Sequence, residues 1–247
     1  MKNPLRGSLT EVQEHFEKLY GTRNLFVNIS IPERTTHMQR QLGRLVDAER
    51  KGLPFEVRLS KCFAYFMSLV NGYHGRIVLA ESMVKKYPWY GCAYCSQKPC
   101  RCKDNKRPNP NVRSIDRSQY QWTIADWQKH CDAVYGKHNR ERGFWEVYGR
   151  ATSEFSEFSI LSVSGPNTPN DPKKIIEECA LELADLFSWI LAFAYIKNIN
   201  LMEEVAKYYQ VCPQCHTIPC RCKIIFVSPD QQSFATVGTG NIMESGE

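Results

Sequence analysis

The sequence predicts an all-α protein made of two tandem four-helix units that pack as a pseudo-dimer, each closed by four cysteines. Three observations predict it: an internal repeat, helical spacing of apolar residues, and one cysteine pattern that occurs twice. The string SLTEVQEHFEKLYGTRN at 8–24 returns as TIADWQKHCDAVYGKHN at 123–139. The pattern C-x2-C-x4-C-x-C at 92–102 returns at 212–222. Two matches in the same order indicate a tandem duplication.

The duplication divides the chain into four segments. They are a first repeat at 1–104, a linker at 105–120, a second repeat at 121–223 and a tail at 224–247. The linker is polar and contains prolines, which is typical of a connection without secondary structure. The tail allows a short strand at 224–227, and the rest is expected to be poorly ordered.

Each repeat contains four predicted helices. They cover about 8–20, 32–51, 54–73 and 75–87 in the first repeat, and about 123–141, 144–161, 172–197 and 200–209 in the second. Thr123 with Asp126 three residues later is an N-cap signal, and so is Asp171 before Pro172. The stretch SVSGPNTPNDPKK, rich in Gly, Pro and Asn, predicts a loop before the third helix of the second repeat.

Composition limits the class of partner. The net charge of +6 suits a polyanionic ligand such as a nucleotide, but is too small to indicate nucleic acid by itself. The N-terminal stretch has no apolar core of a signal peptide, and no run of 18 uncharged apolar residues predicts a membrane span. We therefore expect a cytoplasmic protein with no membrane partner.

Two predicted helices carry acids among apolar residues. Glu178, Glu182 and Asp185 share one face of helix 172–197, which is apolar on almost every other side. Glu154 and Glu157 lie one turn apart in the preceding helix. Carboxylates on such helices cost several kcal/mol each unless they are paired, protonated or bound to metal.

A shared metal site would explain these acids. If the two helices face each other, the carboxylates form one oxygen-rich pocket, the kind of site that Mg²⁺ or Mn²⁺ prefers. The alternative for either pair alone is a solvated face or pairing with Arg and Lys. Two pairs on two apolar helices favour the metal.

The same residues resemble a known family. The spacing E-x-x-E at 154–157 and E-x-x-D at 182–185, continuing as ELADLFSWILAFAYIKNINLMEEVAKYY, resembles the MazG family of all-α nucleotide pyrophosphohydrolases. The resemblance covers the second repeat and fades in the first. Ser153 stands where the family often has a further Glu, and Glu178 is a candidate to compensate.

The resemblance implies a Mg²⁺-dependent hydrolysis of an NTP or dNTP to the monophosphate and pyrophosphate. It implies four metal ligands: Glu154, Glu157, Glu182 and Asp185. The general base is Glu157 or Glu178, and the sequence does not choose between them. Three residues beyond the acids are expected to touch substrate, with helix-end solvation as the alternative: Lys197, Asn200 and Lys207. The family also implies a homo-oligomer, with a dimer expected.

The first repeat lacks these acids. Aligning the cysteine clusters places Cys62 and Tyr65 opposite Glu182 and Asp185. Matching Gly43-Arg44 to Gly149-Arg150 places Ala48 and Lys51 opposite Glu154 and Glu157. The first repeat is therefore predicted to be structural or substrate-binding. Its basic residues are either ordinary surface residues or contacts to the triphosphate: Arg44, Lys51, Arg58 and Lys61.

Eight cysteines form two clusters. They are Cys92, Cys95, Cys100 and Cys102 in the first repeat, and Cys212, Cys215, Cys220 and Cys222 in the second. Four thiolates at this spacing predict one structural Zn²⁺ per cluster, with an iron–sulfur cluster or disulfides as alternatives. The flanking Arg and Lys residues leave open a knuckle that binds nucleic acid. The other cysteines, Cys62, Cys131 and Cys179, are expected to be buried small apolar residues.

A second class of function competes with the enzyme. A non-catalytic protein that binds or senses nucleotides could use its zinc knuckles to bind a partner or nucleic acid. Retention of the acids in the second repeat, against their loss in the first, favours the enzyme.

Overall fold

The computed structural model describes residues 3–102, 115–164 and 171–222. In these ranges there is no strand, which confirms the all-α prediction. The α-helices are α1 (Leu9–Phe26), α2 (Ile31–Lys51), α3 (Phe55–Asn71), α4 (Leu79–Lys86), α5 (Ile124–Ser164), α6 (Pro172–Ile196) and α7 (Leu201–Tyr208). Short 3-10 helices at Pro4–Arg6 and Arg117–Gln121 precede α1 and α5. The strand predicted at 224–227, the tail and most of the linker lie outside the described residues.

Local sequence accounts for the helix ends. Ser8 and Ser30 each form a capping box, in which the serine hydroxyl and a glutamate three residues later satisfy free backbone amides. Helix α5 breaks at Gly143, whose φ of 71° and ψ of −177° are not helical. Only glycine adopts such a conformation readily, and the break separates the two helices predicted at 123–141 and 144–161.

The core lies around α6. This helix packs along α5, and Phe187 stacks on Phe66 of α3 with ring centroids 5.7 Å apart. In the described residues α6 alone is long and apolar enough to cross a membrane, with a mean hydropathy of 1.6. Of that apolar window, 67% is buried inside the fold, as expected for a core helix.

Contacts within and between the repeats come in matched pairs. The Gln13 side chain bonds the backbone just before α4, and Gln128 bonds the equivalent backbone before α7. The Cys100 amide donates to the carbonyl of Val134, and the Cys220 amide donates to the carbonyl of Leu19, both at 2.8 Å. Leu19 and Val134 hold the same position in the repeated string. Each cysteine cluster therefore lies against the first helix of the other repeat.

The last helix of each repeat also crosses to the other. Helix α4 packs on α6, and α7 packs on α3. The end of α4, in the first repeat, consequently reaches the face of α6 that carries the acids.

Candidate metal centre

Three of the predicted acids meet between α5 and α6. Glu154, Glu157 and Glu182 each place a carboxylate oxygen within 4.8 Å of the others. Phe155 and Phe158, the residues next to these glutamates on α5, are buried, so Glu154 and Glu157 lie at the edge of the core. Oxygens that share one Mg²⁺ lie about 3–4 Å apart, because each Mg–O bond is about 2.1 Å. We call these three residues the acidic group, and its geometry could hold a metal ion.

Burial and like charge raise the pKa values of the acidic group. Burial, joined by the charges of Asp185, Glu157 and Glu182, raises the pKa of Glu154 to about 7. Burial also raises the pKa of Glu182, although the nearby Lys86 ammonium opposes the shift. Both glutamates therefore lose their protons less readily than a free glutamate does. A cation bound between them would offset the repulsion between their negative charges.

Asp185 lies beside the acidic group but is held by the first repeat. Its carboxylate pairs with the ammonium of Lys86 and accepts a 2.6 Å hydrogen bond from the hydroxyl of Tyr87. The Tyr87 side chain is buried, with its hydroxyl also 2.8 Å from Ser188 Oγ. The sequence predicted Asp185 as a fourth metal ligand; in the structure it links α4 to α6 next to the acidic group, and its role as a ligand stays a prediction.

Sequence reasoning missed Lys86 and Tyr87. They lie almost one hundred positions before Asp185, in the repeat that has no equivalent of the acidic group. No local pattern could identify them, because their role depends on α4 crossing to the other repeat.

Glu178 does not join the acidic group. Its carboxylate lies 3.9 Å from the ammonium of Lys174, one turn back on α6. Glu157, the other predicted general base, lies within the group and accepts a 3.4 Å hydrogen bond from Ser153. Of the two predicted general bases, only Glu157 belongs to the acidic group.

The predicted substrate residues make other contacts. Lys197 pairs with Glu49 at 2.5 Å and lies over the rings of Phe55 and Phe144. Lys197 follows Asp185 by twelve positions, roughly 18 Å along a helix. Asn200 caps α7, and Lys207 lies 3.8 Å from Glu204. None of these contacts involves the acidic group, so a substrate role for Lys197, Asn200 and Lys207 gains no support from them.

The structure corrects the alignment of α3 with α6. The buried positions of 55–71 match those of 179–195 without a gap, and RLSKCFAYF falls opposite ELADLFSWI. In this alignment Arg58 is equivalent to Glu182, and Lys61 is equivalent to Asp185. Placing Cys62 and Tyr65 there was wrong by one helical turn. The cause is loop length: from the last α3 position to the first cluster cysteine is 21 positions (71 to 92), against 17 in the second repeat (195 to 212).

The same comparison corrects α2. Its buried residues match those of 144–164 when residues 31–51 are aligned without a gap. Gln41 then stands opposite Glu154, and Arg44 opposite Glu157. Placing Ala48 and Lys51 there was wrong by two turns, because the Gly-Arg dipeptides that guided it are not equivalent.

The cysteine clusters have the geometry of metal sites. Neighbouring sulfurs lie 3.4–3.9 Å apart in the first cluster and 3.6–3.9 Å apart in the second, and all eleven cysteines are free. Four sulfurs around one ion at 2.3 Å would lie about 3.8 Å apart, whereas a disulfide needs about 2.05 Å. Backbone amides of Arg101 and Arg221 donate to Cys95 Sγ and Cys215 Sγ, as expected around thiolates. Both groups could bind a metal.

The raised pKa of Glu154 predicts a pH-dependent stability. Above about pH 4.5 the unfolded chain releases this proton while the folded protein keeps it, so folding is progressively disfavoured until pH reaches about 7. In buffer without Mg²⁺ or Mn²⁺, we expect Glu154→Gln to raise the Tm at pH 8 by about 2–4 °C. That is the shift produced by roughly 1 kcal/mol of added stability, a figure lowered to allow for the partial exposure of Glu154.

At pH 5 the gain in Tm should be smaller. Thermal unfolding checks this, with Glu177→Gln on the exposed face of α6 as control; an equal gain at both pH values would contradict it.

No protein-family model, curated protein or solved structure matches this chain. The resemblance to the MazG family therefore stays a prediction that rests on the spacing of the acids and on the sequence that follows them from Glu182.

Proposed function

We propose that this chain is a MazG-like, Mg²⁺-dependent pyrophosphohydrolase that converts an NTP or dNTP to the monophosphate and pyrophosphate. The observation that carries the proposal is the convergence of Glu154, Glu157 and Glu182 from two apolar helices. An isolated acid pair is common on a protein surface. Here three acids lie together beside the core, and two of them have raised pKa values. Such an arrangement destabilises the fold unless a cation is bound, and metal-dependent phosphate chemistry would explain why it is present.

Each acidic side chain has a proposed role. Glu154 and Glu182, partly buried and close together, would hold the cation, which would neutralise phosphate oxygens and polarise the attacking water. Glu157 is exposed, so it is free both to complete the metal site and to accept the proton that the water releases. Water adds to phosphorus, the α–β anhydride bond breaks, and pyrophosphate leaves with the bonding electron pair.

The first repeat completes this site. Lys86 holds Asp185 and also donates to the Leu181 carbonyl at 3.3 Å, so its ammonium is fixed at the edge of the acidic group. We propose that this positive charge orients the negative phosphate chain, while Tyr87 fixes Asp185. A degenerate repeat would then be retained because Lys86 and Tyr87 reach Asp185 from that repeat.

We also propose Zn²⁺ as the occupant of both cysteine clusters, a cytoplasmic location and a homodimer. The free thiols fit a reducing compartment and a metal whose structural sites take four thiolates.

Product analysis tests the function. Purified zinc-loaded protein would be incubated with each of the common NTPs and dNTPs plus Mg²⁺ or Mn²⁺, and products separated by anion-exchange chromatography. We expect at least one nucleotide to give equal amounts of monophosphate and pyrophosphate, with no turnover when the divalent cation is omitted. Nucleotide binding without any turnover would contradict the enzyme and favour the nucleotide-sensing alternative. Release of a nucleoside diphosphate and orthophosphate would show that the β–γ bond breaks, and would contradict the proposed cleavage of the α–β bond.

A further inference from the structure

The corrected alignment shows that charge is inverted at the equivalent place in the first repeat. Where the second repeat has two acids on α5 and two on α6, the first has Gln and Arg on α2, and Arg and Lys on α3. We call these residues the basic group: Gln41, Arg44, Arg58 and Lys61.

Helices α2 and α3 pack on each other, and each carries its two residues of the basic group one turn apart. The Arg44 guanidinium donates to Gln41 Oε1 at 3.3 Å, and the Gln41 side chain is buried, with 2% of the residue exposed. Lys61 is partly buried, and after burial the charges of Arg44 and Arg58 are what lower its pKa. Three cations from two helices therefore share one small region of the α2–α3 surface.

The cations of the basic group form no ion pair in the described part of the chain: within residues 3–102, 115–164 and 171–222, none includes Arg44, Arg58 or Lys61. On α2, Lys51 pairs with Asp47 one turn away, whereas the exposed Arg40 and Arg50 have no ion pair within the same described residues. Half-buried like charges repel one another, so an ordinary surface face would either spread them apart or supply an acid.

We propose that the basic group binds an oligophosphate, either free pyrophosphate or the phosphate chain of a nucleotide, without a metal. Two guanidinium groups offer paired donors to phosphate oxygens, and the Lys61 ammonium adds a compact point charge. An anion with three or four negative charges matches three cations, whereas the single phosphate of a monophosphate does not. This second site would bind the substrate or the product of the reaction proposed for the acidic group, but binding there does not depend on turnover.

Calorimetric titration in buffer without divalent cations tests the site. Pyrophosphate, ATP and AMP would each be titrated into the full-length zinc-loaded protein at about 0.15 M salt. We expect one equivalent of pyrophosphate or ATP to bind, AMP to bind at least tenfold more weakly, and added salt to weaken binding. Tighter ATP than pyrophosphate would identify a nucleotide as the ligand, and the reverse would identify free pyrophosphate.

Matched variants locate the site. Lys61→Met and Arg44→Gln should each weaken binding at least tenfold, while Arg50→Gln, at an exposed position of α2, should leave it unchanged. Because Lys61→Met removes a repelled charge, its Tm should be no lower than that of the wild type, which excludes unfolding as the cause. Wild-type affinity in Lys61→Met and Arg44→Gln, or no binding of any oligophosphate, would overturn the proposal. Both results are independent of hydrolysis, so they would leave the proposed enzyme untouched.

Discussion

Glu182→Gln is expected to lower kcat/KM for nucleotide hydrolysis by about 10³-fold or more, roughly 4 kcal/mol of transition-state stabilisation. Glu182 is the acid that α6 contributes to the acidic group, within 4.8 Å of both glutamates of α5. The amide keeps the size of the side chain but removes the charge that a divalent cation requires. Because the ionised form is already disfavoured by burial, the substitution should not unfold the protein.

The control for this experiment lies on the same helix. Glu177→Gln changes an exposed carboxylate outside the acidic group and should retain full activity. Steady-state kinetics over a range of Mg²⁺ concentrations would separate weakened metal binding from lost chemistry. Activity of Glu182→Gln within tenfold of the wild type at saturating Mg²⁺ would remove this residue from the mechanism.

Cys215→Ser is expected to abolish one of two bound zinc ions and to lower the Tm by more than 10 °C. Structural zinc contributes about 10–16 kcal/mol to the folding of small zinc-binding peptides, comparable to the whole stability of a typical domain. The cluster also anchors the end of the second repeat on α1, through the bond from the Cys220 amide to Leu19. Losing the ion should therefore loosen the contact between the repeats as well as the cluster.

The fully buried Cys131, outside both clusters, provides the contrasting control. Cys131→Ala removes one sulfur from the core and should cost only about 1–2 kcal/mol. Packing alone would predict the opposite order, because Cys215 is the more exposed of the two. Metal analysis and thermal unfolding of both variants decide between these accounts. Iron in place of zinc, or an unchanged Tm for Cys215→Ser, would contradict the structural zinc.

These expectations depend on how the two repeats share their parts. The acids come from the second repeat, while the lysine and tyrosine that hold Asp185 come from the first. Helix α4, which ends at Lys86, is followed directly by the first cysteine cluster, and this cluster lies against α5. A change at that cluster should therefore also alter the acidic site.

The helices, the acidic faces and both cysteine clusters follow from the sequence by itself. Helical spacing is a local property: residues three and four positions apart share a face, so Glu154 and Glu157 had to lie together once the segment was helical. The cysteines needed only short loops to converge, and a four-thiolate spacing repeated twice leaves little freedom. The helix break at Gly143 was likewise predictable between two periodic segments.

Only the tertiary structure decided which distant groups meet. Lys86 and Tyr87 reach Asp185 because α4 crosses to the other repeat, and no periodicity records a crossing. The burial pattern also established that Lys61 is equivalent to Asp185 in the alignment of the two repeats. The sequence alone had misaligned these helices by one turn, because the loops that follow them differ in length. Local chemistry thus determined what each helix presents, while packing between the repeats determined which charges those faces meet.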